Sequence, residues 1–298
     1  MRLLYISKDD RRKQLRYFFA ELEQYFEVER FNNVLDKDDL IAKYKEFKPD
    51  VVIFHHNKYA LGHSVFRHFK TSYNIYWRND ERLPLEAWYT ELQMYFHLFL
   101  TSSEDSANAV QEIGGNAQRL MMGFNPINEI DEQRLFPLVF TGQNTNRVFP
   151  LSHIRESLVK KLMKRGDFDV FGAGWGVSNE KMHYSIYRKT KIGIAINHYN
   201  TEKTYSNRMY QIMDCGALCL AYKTKGLEEV FGDNVVYFES YKEMESKIRY
   251  YLNNPIELEA KAQQGKAFVN NHHTWRHKAL DIINILIEGK VINNEDII

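Results

Sequence analysis

The densest chemical signal in the chain is the segment 191–231, KIGIAINHYNTEKTYSNRMYQIMDCGALCLAYKTKGLEEVF. An apolar strand runs out at His198, and a polar loop carrying Tyr199, Asn200, Glu202 and Tyr205 follows. Ser206 or Asn207 is placed to cap a short helix that Gly216 closes. On that helix Met209, Ile212, Met213 and Gly216 recur at helical spacing and are due to face a sheet, while Arg208 and Gln211 share another face near its start. An arginine at a helix start beneath a polar loop suits a diphosphate: free N–H groups, the helix dipole and a guanidinium fork all favour negative charge. The dipole supplies about 0.3 to 1 kcal/mol and the arginine adds to it. The plainer reading is a surface arginine in a salt bridge, and the arginine alone does not choose between them.

Two glycine-bearing loops accompany it. After the apolar run Leu138 to Thr141 come Gly142, Gln143, Asn144, Asn146 and Arg147, a tight polar loop that lets backbone N–H groups approach a ligand. After Asp169 to Phe171, the stretch DVFGAGWG sets Gly172, Gly174 and Gly176 around Trp175. The spacing is G-x-G-x-G rather than G-x-G-x-x-G, and no glycine loop follows the first strand, which disfavours an NAD-dependent dehydrogenase. For proton transfer the candidates are His55 and His56, which end one strand, and Asp80 and Glu104, which follow two others; each also has an ordinary structural reading. Two D-x-D triplets, Asp36-Lys37-Asp38 and Asp167-Phe168-Asp169, read as solvated surface, so no metal is expected.

The elements that must position these residues alternate. In the first half the expected strands are Leu3 to Ser7, Phe26 to Phe31, Val51 to His55, Ile75 to Trp77, Leu98 to Thr101 and Arg119 to Met122, with helical periods over Arg11 to Gln24, Leu40 to Glu46, Ser64 to Phe69, Leu85 to Tyr95 and Ser106 to Ile113. A proline-bearing connector, Gly123 to Pro137, interrupts the pattern. It resumes with strands Leu138 to Thr141, Asp169 to Phe171, Ile192 to Ile196, Leu218 to Tyr222 and Val235 to Phe238, and helices Ser152 to Arg165, Arg208 to Cys215, Tyr241 to Asn253, Ile256 to Asn270 and Trp275 to Glu288. Such βα units imply an α/β protein of two Rossmann-like domains facing across a cleft, residues 1–135 and 136–298, with ligands bound at the carboxyl ends of the strands.

Composition narrows the class. In 298 residues, 40 Lys and Arg against 39 Asp and Glu leave a net charge of +1, so no global basic field draws the chain to nucleic acid or anionic lipid. The balance is uneven: 18 basic and 21 acidic residues up to Leu135, 22 and 18 beyond it, which makes the second half the better place for an anion. Cys215 and Cys219 alone suggest reduced thiols, and neither a signal peptide nor a run of 18 apolar residues is visible, so a cytoplasmic location without a membrane span is expected.

The order N-R-M-Y-Q-I-M-D-C-G-A-L-C-L, K-G-L-E-E-V-F-G-D-N-V-V-Y-F, Y-K-E-M-E-S-K-I-R-Y-Y-L-N-N-P and A-F-V-N-N-H-H-T-W-R-H resembles the C-terminal nucleotide-sugar-binding domain of GT-B glycosyltransferases, closest to the CgeB-like branch of the family-4-type enzymes. The resemblance covers about residues 138 to 285. It implies metal-independent transfer of a sugar from a UDP- or GDP-sugar to a glycan, lipid or protein hydroxyl, of hexosyltransferase type and with no cofactor beyond that donor substrate. The donor would lie on the second domain, among Gly142, Gln143, Asn144, Arg147, Gly172, Gly174, Trp175, His198, Tyr199, Asn207, Arg208 and Gln211. The acceptor would lie on the first, with His56 and Asp80 as base candidates and Arg208, with Lys203, stabilising the leaving diphosphate. It also implies a C-terminal helix, about 275–288, that crosses back onto the first domain.

At one position the chain departs from the relatives it resembles: where they carry a ribose-binding glutamate it has Gln211, and the residue eight before is Lys203 with Glu202 one place off. Two further readings therefore stand beside the first. One is transfer to a nucleic-acid base, with the clusters Lys160, Lys161, Lys164, Arg165 and Arg188, Lys189, Lys191 on phosphates; the other is an inactive sugar-nucleotide-binding protein.

Overall fold

The computed structural model describes residues 1–7, 15–32, 36–55, 63–78, 83–127, 132–144, 148–175 and 183–293. His56, Asp80, Asn146, Arg147 and Gly176, all named above, lie outside these residues. The chain divides into two compact units, one of Met1–Asn125 with Trp275–Ile298, the other Pro126–Thr274.

In unit 1 the strands are β1 (Arg2–Ser7), β2 (Glu27–Phe31), β3 (Val51–His55), β4 (Tyr73–Trp77), β5 (Leu98–Thr101) and β6 (Ala117–Arg119). They pair in parallel in the order β2-β1-β3-β4-β5-β6. Helices α1 (Arg16–Leu22), α2 (Lys37–Phe47), α3 (His63–Phe66), α4 (Trp88–Leu92) and α5 (Glu104–Glu112) fall between them. Sequence sets the stops: Asp36 accepts from the Asp39 N–H at the start of α2, and Ser103 accepts from the Ser106 N–H at the start of α5.

The sheet is apolar on both faces, as a covered parallel sheet must be. Leu3, Tyr5, Ile53 and Trp77 point to one layer and Leu4, Ile6, Val52 and Phe54 to the other, the two-residue alternation of a strand. The C-terminal helix α12 (Trp275–Glu288) belongs to the first layer. Its Ala279, Ile282, Ile283 and Leu286 are buried there with Phe18 and Phe19 of α1, and the Trp275 ring stands 5.7 Å from Phe18 and 6.1 Å from Trp77. Arg276 Nε donates to Glu21 at 2.9 Å.

Unit 2 repeats the plan with β7 (Phe136–Thr141), β8 (Phe168–Phe171), β9 (Thr190–Ala195), β10 (Leu218–Tyr222) and β11 (Val236–Phe238), all parallel, in the order β11-β10-β9-β7-β8. Its helices are α6 (Ser152–Leu162), α7 (His183–Arg188), α8 (Arg208–Asp214), α9 (Leu227–Phe231), α10 (Tyr241–Asn253) and α11 (Pro255–His272). The first strand of the unit, β7, has its sequence neighbour β8 on one side and β9 on the other, so the crevice between β7 and β9 is the switch point where an open parallel sheet takes a ligand.

Residues before β7 are held to this unit. The Asp214 carboxylate accepts from the Ile127 N–H at 3.1 and 3.2 Å and from Asn270 Nδ2 at 3.3 Å. Arg134 donates to the carbonyls of Tyr187, Arg188, Cys215 and Gly216, closing the carboxyl ends of α7 and α8 together.

Candidate functional site

The switch point of unit 2 is built from two laminated glycine turns. Gly142 follows β7 with φ 151° and Gly172 follows β8 with φ 140°, and a Cβ on Gly172 would run into the Gly142 carbonyl. The turns are stitched by Gly142 N–H to the Phe171 carbonyl at 2.8 Å and Asn144 N–H to the Ala173 carbonyl at 2.9 Å, while Gly174 packs on Asn144. Close backbone approach is what these glycines supply.

Two arginines converge over Gly142. Arg208 opens α8, and that helix lies tight on the sheet because β9 carries Gly193, where a Cβ would meet Ile212 at 2.7 Å. Arg155 comes from α6, on the same stripe as the buried Leu158, Val159 and Leu162. A Cβ on Gly142 would strike Nη2 of both arginines, that of Arg208 at 2.6 Å. Both guanidiniums also lie over the Phe140 ring, 4.8 and 5.1 Å from its centroid.

The pair is buried and unmatched. Arg155 is 2% exposed and Arg208 9%. Neither has a carboxylate partner among the described residues, and Arg155 Nε, Arg155 Nη2 and Arg208 Nε make no hydrogen bond. Arg208 Nη1 reaches only the Ile196 carbonyl, at 3.4 Å. Both Nη2 atoms lie within 2.6 Å of one point over Gly142, and like charges about 5 Å apart repel by about 3 kcal/mol at an effective dielectric near 20, with desolvation adding to that cost. Burial, with the Arg208 charge, pulls Arg155 down to about 8, and burial lowers Arg208 too. A bound anion between them turns the repulsion into attraction and satisfies the idle N–H groups.

His198, just past β9, sits beside them. Arg155 Nη1 lies 3.0 Å from Nδ1 and 2.5 Å from Nε2, and the Phe149 ring covers the imidazole at 4.5 Å. Desolvation, then the charges of Arg155 and Arg208, push His198 down to about 3, so it stands neutral. Behind Arg208, Tyr187 is fully buried and shares a 2.8 Å hydrogen bond with Thr141; its burial raises it to about 12.

The structure thus brings Gly142, Gln143, Asn144, Gly172, Gly174, Trp175, His198 and Arg208 to the carboxyl ends of β7, β8 and β9, with Tyr199 on the loop beyond His198. Arg208 is not a surface arginine in a salt bridge. Its site also rests less on a helix terminus than its position suggests: α8 has seven residues, and Asn207 is already helical and makes no side-chain cap. Ser206 is the residue whose hydroxyl accepts from the Arg208 N–H, at 3.3 Å. Gln211 is the one residue of α8 left partly exposed.

The other candidates have local roles of their own. Lys203 is ion-paired to Glu229 of α9 at 3.1 Å, and Glu202 to Lys225 at 2.7 Å, so the loop after β9 is tied to α9 and to the loop after β10. His55 is wholly buried in unit 1, bonded by the Tyr5 hydroxyl and stacked on Trp77 at 4.3 Å, which makes it a core residue. Glu104 begins α5, where a carboxylate suits the helix start. Both D-x-D triplets are structural: Asp36 caps α2, and Asp167 takes a bidentate pair from Arg165 at 2.7 Å. In the basic clusters Lys160, Arg165, Arg188 and Lys189 are each paired with carboxylates. Sequence reasoning missed Arg155, although its signal was present as a charge inside the apolar stripe of α6.

Among solved structures the chain is similar to HepE of Anabaena in complex with UDP-glucose, at 12% identity over 97% of this chain and 100% of that one, TM-score 0.63. It is similar to sucrose-phosphate synthase from Thermosynechococcus elongatus at 9% identity over 97% and 99%, TM-score 0.63. The fold is GT-B. A third GT-B relative in shape is an α1,3-fucosyltransferase with GDP-fucose, at 10% identity over 98% of this chain and 90% of that one, TM-score 0.60. Within this GT-B chain, residues 152–284 match the family model described as glycosyl transferase-like, a span that contains Arg155, Gly172, Gly174, His198 and Arg208. No curated protein matches it in sequence.

Proposed function

We propose that the protein is a glycosyltransferase that takes a nucleoside diphosphate sugar on unit 2 and transfers the sugar to an acceptor hydroxyl. One observation carries this reading: two buried guanidiniums with idle N–H groups converge over a glycine turn at the β7/β9 switch point, with no carboxylate to neutralise them among the described residues. A diphosphate has the charge and the oxygen spacing to bridge two such groups. The GT-B fold and the glycosyl transferase-like match over 152–284 support the same chemistry, and neighbours of this shape bind UDP-glucose and GDP-fucose.

Breaking the bond from sugar to diphosphate builds negative charge on the leaving phosphate, and preorganised cations stabilise that charge as it develops. Arg155 and Arg208 are aimed there, which supplies what a divalent cation otherwise would, so the reading includes turnover without added metal. The acceptor is assigned to unit 1, with His56 and Asp80 as the base candidates and a glycan, lipid or protein hydroxyl as the acceptor class. The run of matching segments from 138 to 285 favours the CgeB-like branch and a hexosyl donor.

The test is release of nucleoside diphosphate from a panel of UDP- and GDP-sugars, with and without EDTA. Release from at least one sugar, lost in Arg208→Ala, is expected. Binding without release from any donor under any acceptor mixture would leave a sugar-nucleotide-binding protein, and release abolished by EDTA and restored by Mn²⁺ would overturn the metal-free part.

A further inference from the structure

His198 holds an unusual place in the site. Among the described residues its ring is the one titratable group whose nitrogens bond the arginine pair: Arg155 of α6 bonds it, and Arg208 of α8 acts on it as a second positive charge. The Phe149 ring closes another side, Tyr199 is its neighbour along the chain, and Tyr187 stands behind Arg208. Among the described residues no carboxylate acts on it. In this environment the ring is neutral and accepts from Arg155.

A diphosphate between the guanidiniums reverses that field. Two negative charges now stand where only positive ones acted, and phosphoryl oxygens offer acceptors for a ring N–H. We propose that His198 takes up a proton as the diphosphate seats on Arg155 and Arg208, so that the loaded site carries three positive groups where the empty one carries two. The proton comes from solvent and resides on an imidazole nitrogen; no other bond forms or breaks. The inference rests on the proposed donor site and goes beyond it, because a diphosphate site built from fixed arginines alone binds with no proton exchange. The low proton affinity of the empty ring, about 3, agrees with the geometry. If the filled site restores an ordinary imidazole near 6.5, about 0.8 proton is taken up at pH 6 and binding tightens about 10-fold from pH 7.5 to 5.5.

The experiment is titration calorimetry of the full chain with UDP-glucose and GDP-fucose, whose diesterified diphosphates do not titrate in this range, in two buffers of different ionisation heat. Inorganic pyrophosphate is run beside them. Wild type is expected to show the proton uptake at pH 6 and the 10-fold tightening, and His198→Asn and His198→Gln to lose the His198 share of both. Arg155 remains in both variants, so its own titration is common to all three proteins. Binding by wild type without proton uptake, or with the same uptake and pH slope in both variants, overturns the proposal while leaving the donor site standing. Absence of binding by all three probes removes the donor site itself, and the proposal with it. A merely structural histidine would weaken binding by the same factor at every pH.

Discussion

Replacing Arg155 by methionine should stabilise the empty protein and cripple its binding, two effects of opposite sign from one substitution. Arg155 is 2% exposed, pressed against a second guanidinium, with Nε and Nη2 unbonded. Removing its charge relieves about 3 kcal/mol of repulsion at an effective dielectric near 20. Against this stand the lost stacking over Phe140, about 1 kcal/mol, and the lost bond to His198, about 1 kcal/mol. Methionine fills much of the same volume with an apolar chain, so the net is a gain of about 1 kcal/mol. With a diphosphate bound the balance inverts, because charge-assisted hydrogen bonds worth about 3 kcal/mol are gone, a loss of about 150-fold in Kd. Urea unfolding in buffer free of phosphate and sulfate gives the first quantity, and calorimetric titration with UDP and GDP gives the second. A variant destabilised by more than about 1 kcal/mol without anion, binding as well as wild type, would refute the reasoning: Arg155 would then be a satisfied core residue.

Gly142→Ala should act on both arginines at once, since the new methyl strikes their Nη2 atoms at a φ of 151° that an alanine resists. A loss of at least about 10-fold in diphosphate affinity and about 1 to 3 kcal/mol of stability is expected from the displaced cations and the strain, read by the same titration and by urea unfolding. Asp214 should make stability fall with rising pH. Its carboxyl is buried and raised to about 6 by desolvation, above the unfolded value, so its contribution is full below about pH 4 and lost as pH climbs through 6. Asp214→Asn, which keeps an acceptor for the Ile127 N–H, should remove that slope and exceed wild type at pH 8 by about 1 to 2 kcal/mol in urea unfolding; an unchanged slope would place the titration elsewhere.

Much of the fold is legible in the sequence because parallel strands buried on both faces are short unbroken apolar runs. Val51–His55 and Leu218–Tyr222 are strands over the residues expected. Misreadings come where burial continues after pairing ends. The expected strand Arg119 to Met122 is Ala117–Arg119, because Leu120 and Met121 are buried beyond the ladder, Leu120 with its carbonyl on the Trp77 indole. Leu85 to Tyr95 shortens to Trp88–Leu92, with Tyr89, Leu92 and Phe96 packed on the sheet face, so that aromatic burial rather than helical period spaces those residues. The helices His183–Arg188 and Leu227–Phe231 are too short to show a period.

Of the site, the glycine turns and Arg208 are readable because each follows a strand end. Arg155 follows no strand end: it stands within α6, and its one sequence signal is a charge among the apolar positions of that helix's buried stripe. Lys203 is tied to Glu229, a pairing between a loop and a helix 26 residues on that no local pattern reveals.

Whether Arg155 and Arg208 together receive a diphosphate is decided by calorimetric titration of wild type and Arg208→Ala with UDP and GDP. Wild type is expected to bind at least one of the two, and Arg208→Ala to bind it more weakly by about 1.5 to 3 kcal/mol, the range for a hydrogen bond to a charged group. Equal affinity in the two proteins would contradict it.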